Sequence, residues 1–367
     1  MSHFSVLVIG DDVEGQLAPY HEFECTGLDD QYVEDIDETD EKRAEYAHST
    51  TTMLRAPDGG LHEPYADEFF REMTDEERAH FGGRGLIGTG WGNGIHYSSK
   101  DWGDGRGYRA KVQFVPDGYE EVTVPYSEAM TFPEYLHDYH GITLVDADLN
   151  PVKGDSAKYG YAVVEGGEVT KVIRRTNPNR KWDWWVLGGR WRGFFWVKPG
   201  ATAALGALSS YERVYGEHSQ PSVASDQARK GDIDWEAMRQ DAAVEARKSY
   251  LDFTREGAGH AFLYGVRMRP EVQARLDALP REEARATYQD LTLADFETEE
   301  EYVARLVRRN GITFAVVKDG EWYERGEMGW WGAVSVEVDE EEWDTQFRRM
   351  IDELPDDTLL SVVDCHV

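Results

Sequence analysis

The chain has 367 residues and a formal net charge of −32, with 71 acidic residues against 39 basic ones. Such a surface repels nucleic acid, so we expect no duplex-binding face. Hydrophobic residues make up 40% of the chain, which excludes a largely disordered protein and allows two domains of ordinary size.

The cysteines and the hydropathy pattern predict a cytoplasmic protein. Cys25 and Cys365 are the only two cysteines, too few for a disulfide framework. The apolar run at 6–9 is followed by acids, and it lacks the basic start and long apolar core of a signal peptide. No window approaches the ~20 apolar residues of a membrane span, so we expect no membrane association.

The N-terminal third predicts two extended segments and two polar stretches. Residues 4–9 have the pattern of a buried strand, and residues 18–25 that of a second extended piece. Residues 29–45 contain nine acids and predict an exposed loop with a short helix. Residues 81–107 contain ten glycines, without the strand, helix or GKS/T ending of a phosphate-binding loop. We expect a surface loop there, or a loop that folds over a ligand.

Two hairpins are predicted in the middle of the chain. Residues 111–115 and 120–125 flank a Pro-Asp-Gly turn, and residues 161–164 and 168–173 flank a Gly-Gly turn. Thr131 has the position of a helix cap between the two hairpins.

Helices and strands alternate in the C-terminal part, after a stretch at 199–231 that is rich in Gly, Ala, Ser and Pro. The predicted helices are 234–250 with Asp234 as its cap, 270–279, 281–290, one opened by the capping box of Thr298 and Glu301 and ended by Gly311, and 340–354 with Asp339 as its cap. The predicted strands are a hairpin at 312–317 and 321–325, a strand at 331–338 and a last strand at 358–364.

This order predicts an α+β fold with antiparallel sheets and packed helices. A weak internal repeat, Ala-Val-Val followed by a Gly-Glu turn in both hairpins and then by a Trp pair, suggests two ferredoxin-like halves. We expect an N-terminal domain at 1–198 with the insertion 81–107, a linker or flexible insertion at 199–231, and a C-terminal domain at 232–367.

The most unusual stretch is the basic, aromatic segment 181–198 in this acidic chain. Interleaved Trp and Arg can form a core or bind a flat, negatively charged ligand. The paired glycines Gly188 and Gly189 allow a turn, a bulge or a close approach of backbone to a ligand. The candidate ligand-binding residues are Trp182, Trp184, Trp185, Arg190, Trp191 and Arg192.

Other candidate sites are weaker. His21, Glu22 and Glu24 are the alternative acid–base residues, and Cys25 could be a nucleophile, although residues 21–25 have the pattern of a strand. If the first and last strands pair antiparallel, His3 comes close to Cys365 and His366, and such a set of Cys and His could bind zinc. Without a metal-ligand spacing we predict no metal, and the sequence identifies no cofactor. Glu324, Arg325 and Glu327 could pair with the Arg residues of the basic stretch or share a pocket with it.

Five segments together resemble a family of uncharacterised proteins encoded mostly by bacteriophages and by bacteria that carry phage-derived regions. The segments are MSHFSVLVIG at the start, HEFECTG at 21–27, WDWWVLGGRW at 182–191, ERGEMGWWG at 324–332 and ELPDDTLLSVVDCHV at 353–367. The family has no established activity, so the resemblance supplies no catalytic residue. The resemblance implies a phage context and a location in the host cytoplasm, and it makes a nucleotide ligand more expected.

Three function classes follow from the sequence. The first is a binding protein for a nucleotide-like or phosphorylated small molecule, such as an anti-defence factor that sequesters a host signal. The second is a nucleotide-processing hydrolase. The third is an acidic interaction protein or nucleic-acid mimic that binds a basic host protein, especially through 29–45. A homo-oligomer is compatible with all three.

Overall fold

The structure is a computed structural model that describes residues 2–72, 74, 90–92, 95–99, 110–208, 224–255, 268–328, 334–335 and 337–367. It divides the chain into two compact units, residues 1–32 with 177–367 and residues 33–176. The predicted boundaries at 198 and 231 both fall inside the first unit, because strands from both predicted domains pair within one sheet.

The strands within the described ranges are short and belong to six sheets. In chain order they are β1 His3–Ile9, β2 Glu34–Asp37, β3 Thr50–Arg55, β4 Leu61–His62, β5 Phe70–Glu72, β6 Gly90–Gly92, β7 Ile95–Ser99, β8 Ala110–Gln113, β9 Glu120–Pro125, β10 Thr143–Val145, β11 Pro151–Lys153, β12 Gly160–Glu165, β13 Glu168–Thr176, β14 Trp184–Gly189, β15 Phe195–Trp196, β16 Ala207–Leu208, β17 Ala224–Ser225, β18 Gln227–Arg229, β19 Ala315–Lys318, β20 Glu321–Glu324, β21 Glu327–Met328, β22 Val334–Ser335 and β23 Leu359–His366.

Helices lie between these strands. They are α1 Val13–Leu17, α2 Phe23–Thr26, α3 Thr39–His48, α4 Tyr126–Ala129, α5 Phe132–Glu134, α6 Trp235–Phe253, α7 Pro270–Asp277, α8 Arg281–Gln289, α9 Glu299–Arg309 and α10 Glu340–Asp352. Asp234, Thr298 and Asp339 cap α6, α9 and α10 through side-chain acceptors, as their residue types predict. No helix in the described ranges is long and apolar enough to span a bilayer.

One sheet of seven strands organises the first unit. Its order is β16-β14-β23-β1-β19-β20, and β18 also pairs with β23. The strand β23 is antiparallel to β1, to β14 and to β18, whereas β1 and β19 run parallel. Because side chains alternate along a strand, β1 buries Leu7 and Ile9 on one face and Val6 and Val8 on the other.

Each face of this sheet has its own apolar core. Helix α10 buries Trp343, Phe347 and Ile351 against the face that contains Leu7 and Val316. The opposite face packs against side chains from α1 and from the segment before β14. The buried residues of this second core are Phe4, Val6, Val8, Leu17, Trp182, Ala315, Val317, Val363 and Cys365. The residues at the two ends of β1 and β23 therefore lie on a sheet that is covered on both sides.

The second unit holds a five-stranded sheet of order β11-β10-β12-β13-β2 and sheets of three and four strands. Tyr135 and Leu136 form a buried apolar core with Leu144 of β10. The acidic segment 29–45 contributes β2 and most of α3, and none of its residues is buried, as predicted.

The α+β class is correct, and the strand β1, the hairpins β12–β13 and β19–β20, helix α10 and the last strand occur where they are predicted. The two hairpins that carry the internal repeat belong to different units: β12–β13 lies in the sheet of residues 33–176, and β19–β20 lies at the edge of the seven-stranded sheet of the first unit. The Trp pair at 330–331, most of 81–107 and part of the strand at 331–338 lie outside the described residues.

Three local predictions are wrong. The predicted hairpin at 111–125 is not formed, because β9 pairs with β3 while β8 pairs with β5 and β7. Residues 18–25 are not extended; they form a 3-10 turn and helix α2, which ends at Gly27 in the left-handed conformation. Residues 224–229, predicted as part of a linker, form β17 and β18 with Ser225 and Asp226 fully buried.

Candidate functional site

Two buried carboxylates determine the conformation of the Gly-Gly turn at the end of β14. Gly188 and Gly189 both have positive φ, +76° and +57°. A Cβ on Gly188 would lie 2.4 Å from Asp226 Oδ2, and one on Gly189 would lie 2.4 Å from Asp364 Oδ2. Only glycine lets the backbone approach both carboxylates this closely.

The backbone N–H groups after the turn bind these same carboxylates. Asp226 accepts hydrogen bonds from the N–H groups of Gly193 at 2.5 Å, Gly206 at 2.8 Å and Phe194 at 3.3 Å. Burial raises the pKa of Asp226 above its ordinary value, although these N–H groups act in the opposite direction. The glycines therefore form a turn whose backbone closely approaches two carboxyl groups of the protein itself.

Asp364 connects this turn to a pair of histidines. Its Oδ2 accepts the Arg190 N–H at 3.0 Å, and its Oδ1 lies 2.8 Å from Nδ1 of His3. The side chain of Asp364 is only 3% exposed. A carboxylate held from both sides in this way fixes the orientation of the imidazole that it contacts.

The strand register places the second histidine beside the first. His3 on β1 is directly opposite His366 on β23, and His366 is in turn opposite Trp184 on β14. The centroids of the two imidazoles are 4.9 Å apart in an edge-to-face arrangement. Trp184 stacks on His366 at 5.0 Å with an interplanar angle of 15° and meets His3 edge-on at 5.2 Å.

A second carboxylate holds His366. Its Nδ1 lies 2.8 Å from each oxygen of Asp183, the residue immediately before β14. Because an ionised carboxylate can only accept, each Nδ1 carries a proton, and the lone pair of each neutral ring is on Nε2. None of the described residues makes a hydrogen bond to either Nε2.

The histidine pair is therefore two oriented imidazoles whose Nε2 atoms make no hydrogen bond within the described part of the chain. The side chains of His3 and His366 are 10% and 7% exposed. Trp184 is 41% exposed, so the indole both covers His366 and presents surface to solvent. Arg190 is exposed as well. This arrangement can exchange protons with a bound ligand and can stack a flat group beside it.

The structure distributes the six predicted ligand-binding residues over several environments. Trp184 and Arg190 are exposed near the histidine pair, whereas Trp182 is buried and its Nε1 donates to the Leu17 carbonyl at 3.2 Å. Trp191 packs into the core beneath α10, whereas Trp185 packs into the core on the other face of the seven-stranded sheet. The remaining residue, Arg192, donates from Nε to the Gly206 carbonyl at 3.4 Å.

The alternative acid–base residues make no hydrogen bond with one another in the described part of the chain. The His21 ring lies 4.8 Å from that of Trp182, and Glu22 accepts a hydrogen bond from the Cys25 thiol at 3.3 Å. Burial, Glu22 and neighbouring carboxylates raise the pKa of Cys25 to about 12, which leaves almost no thiolate for nucleophilic attack. One carboxylate oxygen of Glu24 is buried without a hydrogen-bond partner in the described part of the chain.

A cleft of about 460 Å³ lies beside this region of the first unit. Its wall carries an ion pair between Lys181 and Glu324 at 2.6 Å. The basic stretch 181–198 therefore pairs with Glu324 through a lysine, whereas the sequence predicted an arginine. Arg325 pairs with Glu337 instead. The other lining residues are Phe4, Glu22, Pro178, Arg180, Trp182, Glu327, Met328 and Val367. The lining contains three glutamates and two cations, a balance that disfavours a phosphate.

Sequence reasoning found part of the histidine pair. The antiparallel pairing of the first and last strands brings His3 beside His366 as predicted, but Cys365 points into the opposite core and is fully buried. The two aspartates were missed. Asp364 is two residues from His366 and so shares its face, which is a signal that strand periodicity provides. Among the residues that the structure describes, no three His, Cys, Asp or Glu side chains form a metal-binding group.

Comparison of the chain with protein-family models, with curated proteins and with solved structures finds no match.

Proposed function

We propose that this protein binds a nucleotide-like, phosphorylated small molecule at the histidine pair. The observation that carries the proposal is the pair itself, two imidazoles oriented by carboxylates beside a partly exposed tryptophan. The Nε2 atoms of His3 and His366 would donate to phosphate oxygens when protonated. Trp184 would stack against the base, and Arg190 would supply a further positive charge.

The energy available from these contacts suits a small ligand. Stacking of one base on an aromatic ring contributes ~1–3 kcal/mol. Two charged hydrogen bonds contribute ~1.5–3 kcal/mol each. The gross sum of about 4–9 kcal/mol corresponds to millimolar to micromolar affinity before ordering costs. The net charge of −32 disfavours a long polyanion, so a mononucleotide or dinucleotide fits the protein better.

The sequence resemblance supplies the biological setting for the proposal. In a phage context such a protein would sequester a phosphorylated host signal and so act against a host defence. Native mass spectrometry of the protein purified from cells that express host defence systems tests this setting. A retained phosphorylated molecule supports sequestration, and a ligand-free protein from such cells contradicts it.

Calorimetry with mononucleotides and dinucleotides tests the binding site. We expect Trp184→Ala and Arg190→Ala each to weaken binding about tenfold, the equivalent of ~1.4 kcal/mol. Arg349→Ala is the matched control, because Arg349 is an exposed arginine on α10 that the proposal does not use. Equal affinity of Arg190→Ala and Arg349→Ala, or no binding by the unmodified protein, would refute the proposed site.

A second function is favoured by the exposure of the acidic segment 29–45. No residue of the segment is buried, and β2 within it is the last strand in the order of its sheet. These features would let the segment contact a basic host protein. Replacing its exposed acids by Asn and Gln should then abolish capture of that partner without lowering the melting temperature. Undiminished capture would contradict this function.

A further inference from the structure

We infer that a second pocket of the first unit, beside the C-terminal half of α10, binds a small carboxylate that carries one apolar ring. This α10 pocket has a volume of about 230 Å³, and Lys230 is among its lining residues. The backbone N–H of Lys230 binds the carbonyl of Thr358, just before β23. His366 lies at the other end of that strand, about 23 Å away. The inference therefore concerns a separate site and does not rest on the proposed function.

Helix α10 gives the pocket one apolar and one polar row of side chains. Phe347 and Ile351 are four residues apart, as are Arg348 and Asp352, and all four line the pocket. Because residues four apart share a helix face, the two rows run side by side along the helix. Phe347 and Ile351 are 2% and 6% exposed and belong to the core beneath α10. The pocket therefore has an apolar floor next to a charged edge.

Trp235, the first residue of α6, adds an aromatic wall. Its ring meets the Phe195 ring edge-to-face at a centroid distance of 5.9 Å. On its other side is Gly311, which has φ +77° and whose added Cβ would lie 3.3 Å from Trp235 Cζ3. Contacts from two other segments of the chain thus fix the indole. A fixed aromatic wall can stack a ring at low entropic cost.

The charges of the lining favour a ligand with a single negative charge. Three cations, Lys230, Arg239 and Arg348, line the pocket together with one carboxylate, that of Asp352. Arg239 pairs with Glu236 at 2.8 Å. Within the described ranges, neither Lys230 nor Arg348 forms an ion pair, and both are half-buried. Two unpaired cations against one carboxylate leave a single net positive charge, which suits a carboxylate better than a phosphate dianion.

Both unpaired cations keep hydrogen-bond donors for a ligand. The Lys230 ammonium donates to the carbonyls of Asp352 at 3.2 Å and Leu354 at 2.6 Å. An ammonium has three N–H donors, so one remains. The Arg348 guanidinium donates to the Arg308 carbonyl through one of its five N–H groups. Its planar fork of donors matches the two oxygens of a carboxylate.

The size of the pocket limits the ligand to about one ring. A cavity of ~150 Å³ holds one benzene molecule, whereas pockets for larger organic ligands have ~300–1,000 Å³. The 230 Å³ of the α10 pocket lies between these values. The ring would lie between Trp235 and Phe347, and its carboxylate would reach Lys230 and Arg348.

Calorimetry of the full-length protein with three probes tests the ligand class. Phenylacetate has both the ring and the charge, phenylacetamide has the ring alone, and acetate has the charge alone. We expect phenylacetate to bind with a dissociation constant of about 1 mM or tighter. Phenylacetamide and acetate should each bind at least about tenfold more weakly.

Substitutions of two adjacent arginines on α10 locate the binding. Arg348→Gln keeps an amide donor for the Arg308 carbonyl but removes the charge, and should weaken phenylacetate binding at least about tenfold. Arg349→Gln is the matched control, because Arg349 is exposed, pairs with Glu353 at 2.9 Å and does not line the pocket. It should bind phenylacetate as the unmodified protein does. Arg348→Lys keeps the charge and should lose less affinity than Arg348→Gln.

Trp235→Leu provides a second test that does not change a charge. It should weaken binding of phenylacetate more than binding of acetate, because only the former has a ring to stack. A thermal melt of each variant shows whether it is folded.

The outcomes separate this site from the histidine pair. Absence of phenylacetate binding, equal affinity for phenylacetate and phenylacetamide, or equal losses in folded Arg348→Gln and Arg349→Gln would each overturn the inference. Tighter binding of inorganic phosphate than of phenylacetate would overturn the assignment of a single negative charge. Each of these results leaves the proposed nucleotide binding at the histidine pair untouched.

Discussion

Substitution of Gly189 by alanine tests the close contact between the turn and Asp364. The added Cβ would lie 2.4 Å from Asp364 Oδ2, whereas ordinary contacts begin at 3.4 Å, so one group must move by about 1 Å. The positive φ costs ~1–2 kcal/mol for a residue with a Cβ. Loss of one hydrogen bond to the carboxylate costs a further ~1.5–3 kcal/mol. We therefore expect Gly189→Ala to lower the free energy of unfolding by about 2.5–5 kcal/mol.

Gly200→Ala is the matched control for this prediction. Gly200 has φ +87°, but its added Cβ would meet no atom within 4 Å. It should therefore lose only the conformational ~1–2 kcal/mol. Urea denaturation followed by tryptophan fluorescence suits both variants, because eight of the tryptophans that the structure describes lie in the first unit. Equal losses for the two variants would refute the argument that the carboxylate requires glycine at 189.

Three further predictions concern other residues of the first unit. Trp182→Ala should lower the free energy of unfolding by ~3–5 kcal/mol. Trp184→Ala should lower it less, because Trp184 is 41% exposed and Trp182 only 8%. Equal shifts of the two variants in thermal melts would contradict this ranking. Cys25 should react with iodoacetamide at pH 8 about 1,000-fold more slowly than an ordinary cysteine, because its pKa is raised from 9.0 to about 12, and Glu22→Gln should accelerate the reaction. Asp226 has a raised pKa in the folded state, so its contribution to stability is full at low pH and is lost as the pH rises through that pKa. Asp226→Asn should accordingly flatten the dependence of the free energy of unfolding on pH above about pH 4. An unchanged slope in urea titrations would count against this assignment.

The elements with strong local signals were predictable from the sequence. The caps Asp234, Thr298 and Asp339 satisfy N–H groups of their own helices, so their effect depends on residues within one turn. The hairpin β19–β20 has a turn that local chemistry specifies. These features need no information from distant parts of the chain.

Predictions failed where distant residues determine the structure. Residues 224–229 belong to a stretch rich in Gly, Ala, Ser and Pro, but they form strands because β18 pairs with β23 and the carboxylate of Asp226 binds the turn after β14. The hairpin expected at 111–125 is absent because β9 pairs with β3, about seventy residues away. For the candidate site, the basic stretch marked Trp184 and Arg190, but the role of Asp183 follows only from the three-strand register of β1, β23 and β14.

The position of β1 in the central sheet has a consequence for synthesis on the ribosome. Its two neighbours, β19 and β23, begin more than 300 residues later, and the whole second unit is translated in between. The segment 33–176 is continuous and can fold while β1 still lacks both partners. Such distant pairings fold slowly, and an apolar strand with two open edges invites contacts with other chains. We therefore expect the newly made chain to depend on chaperones until residues 315–366 have emerged.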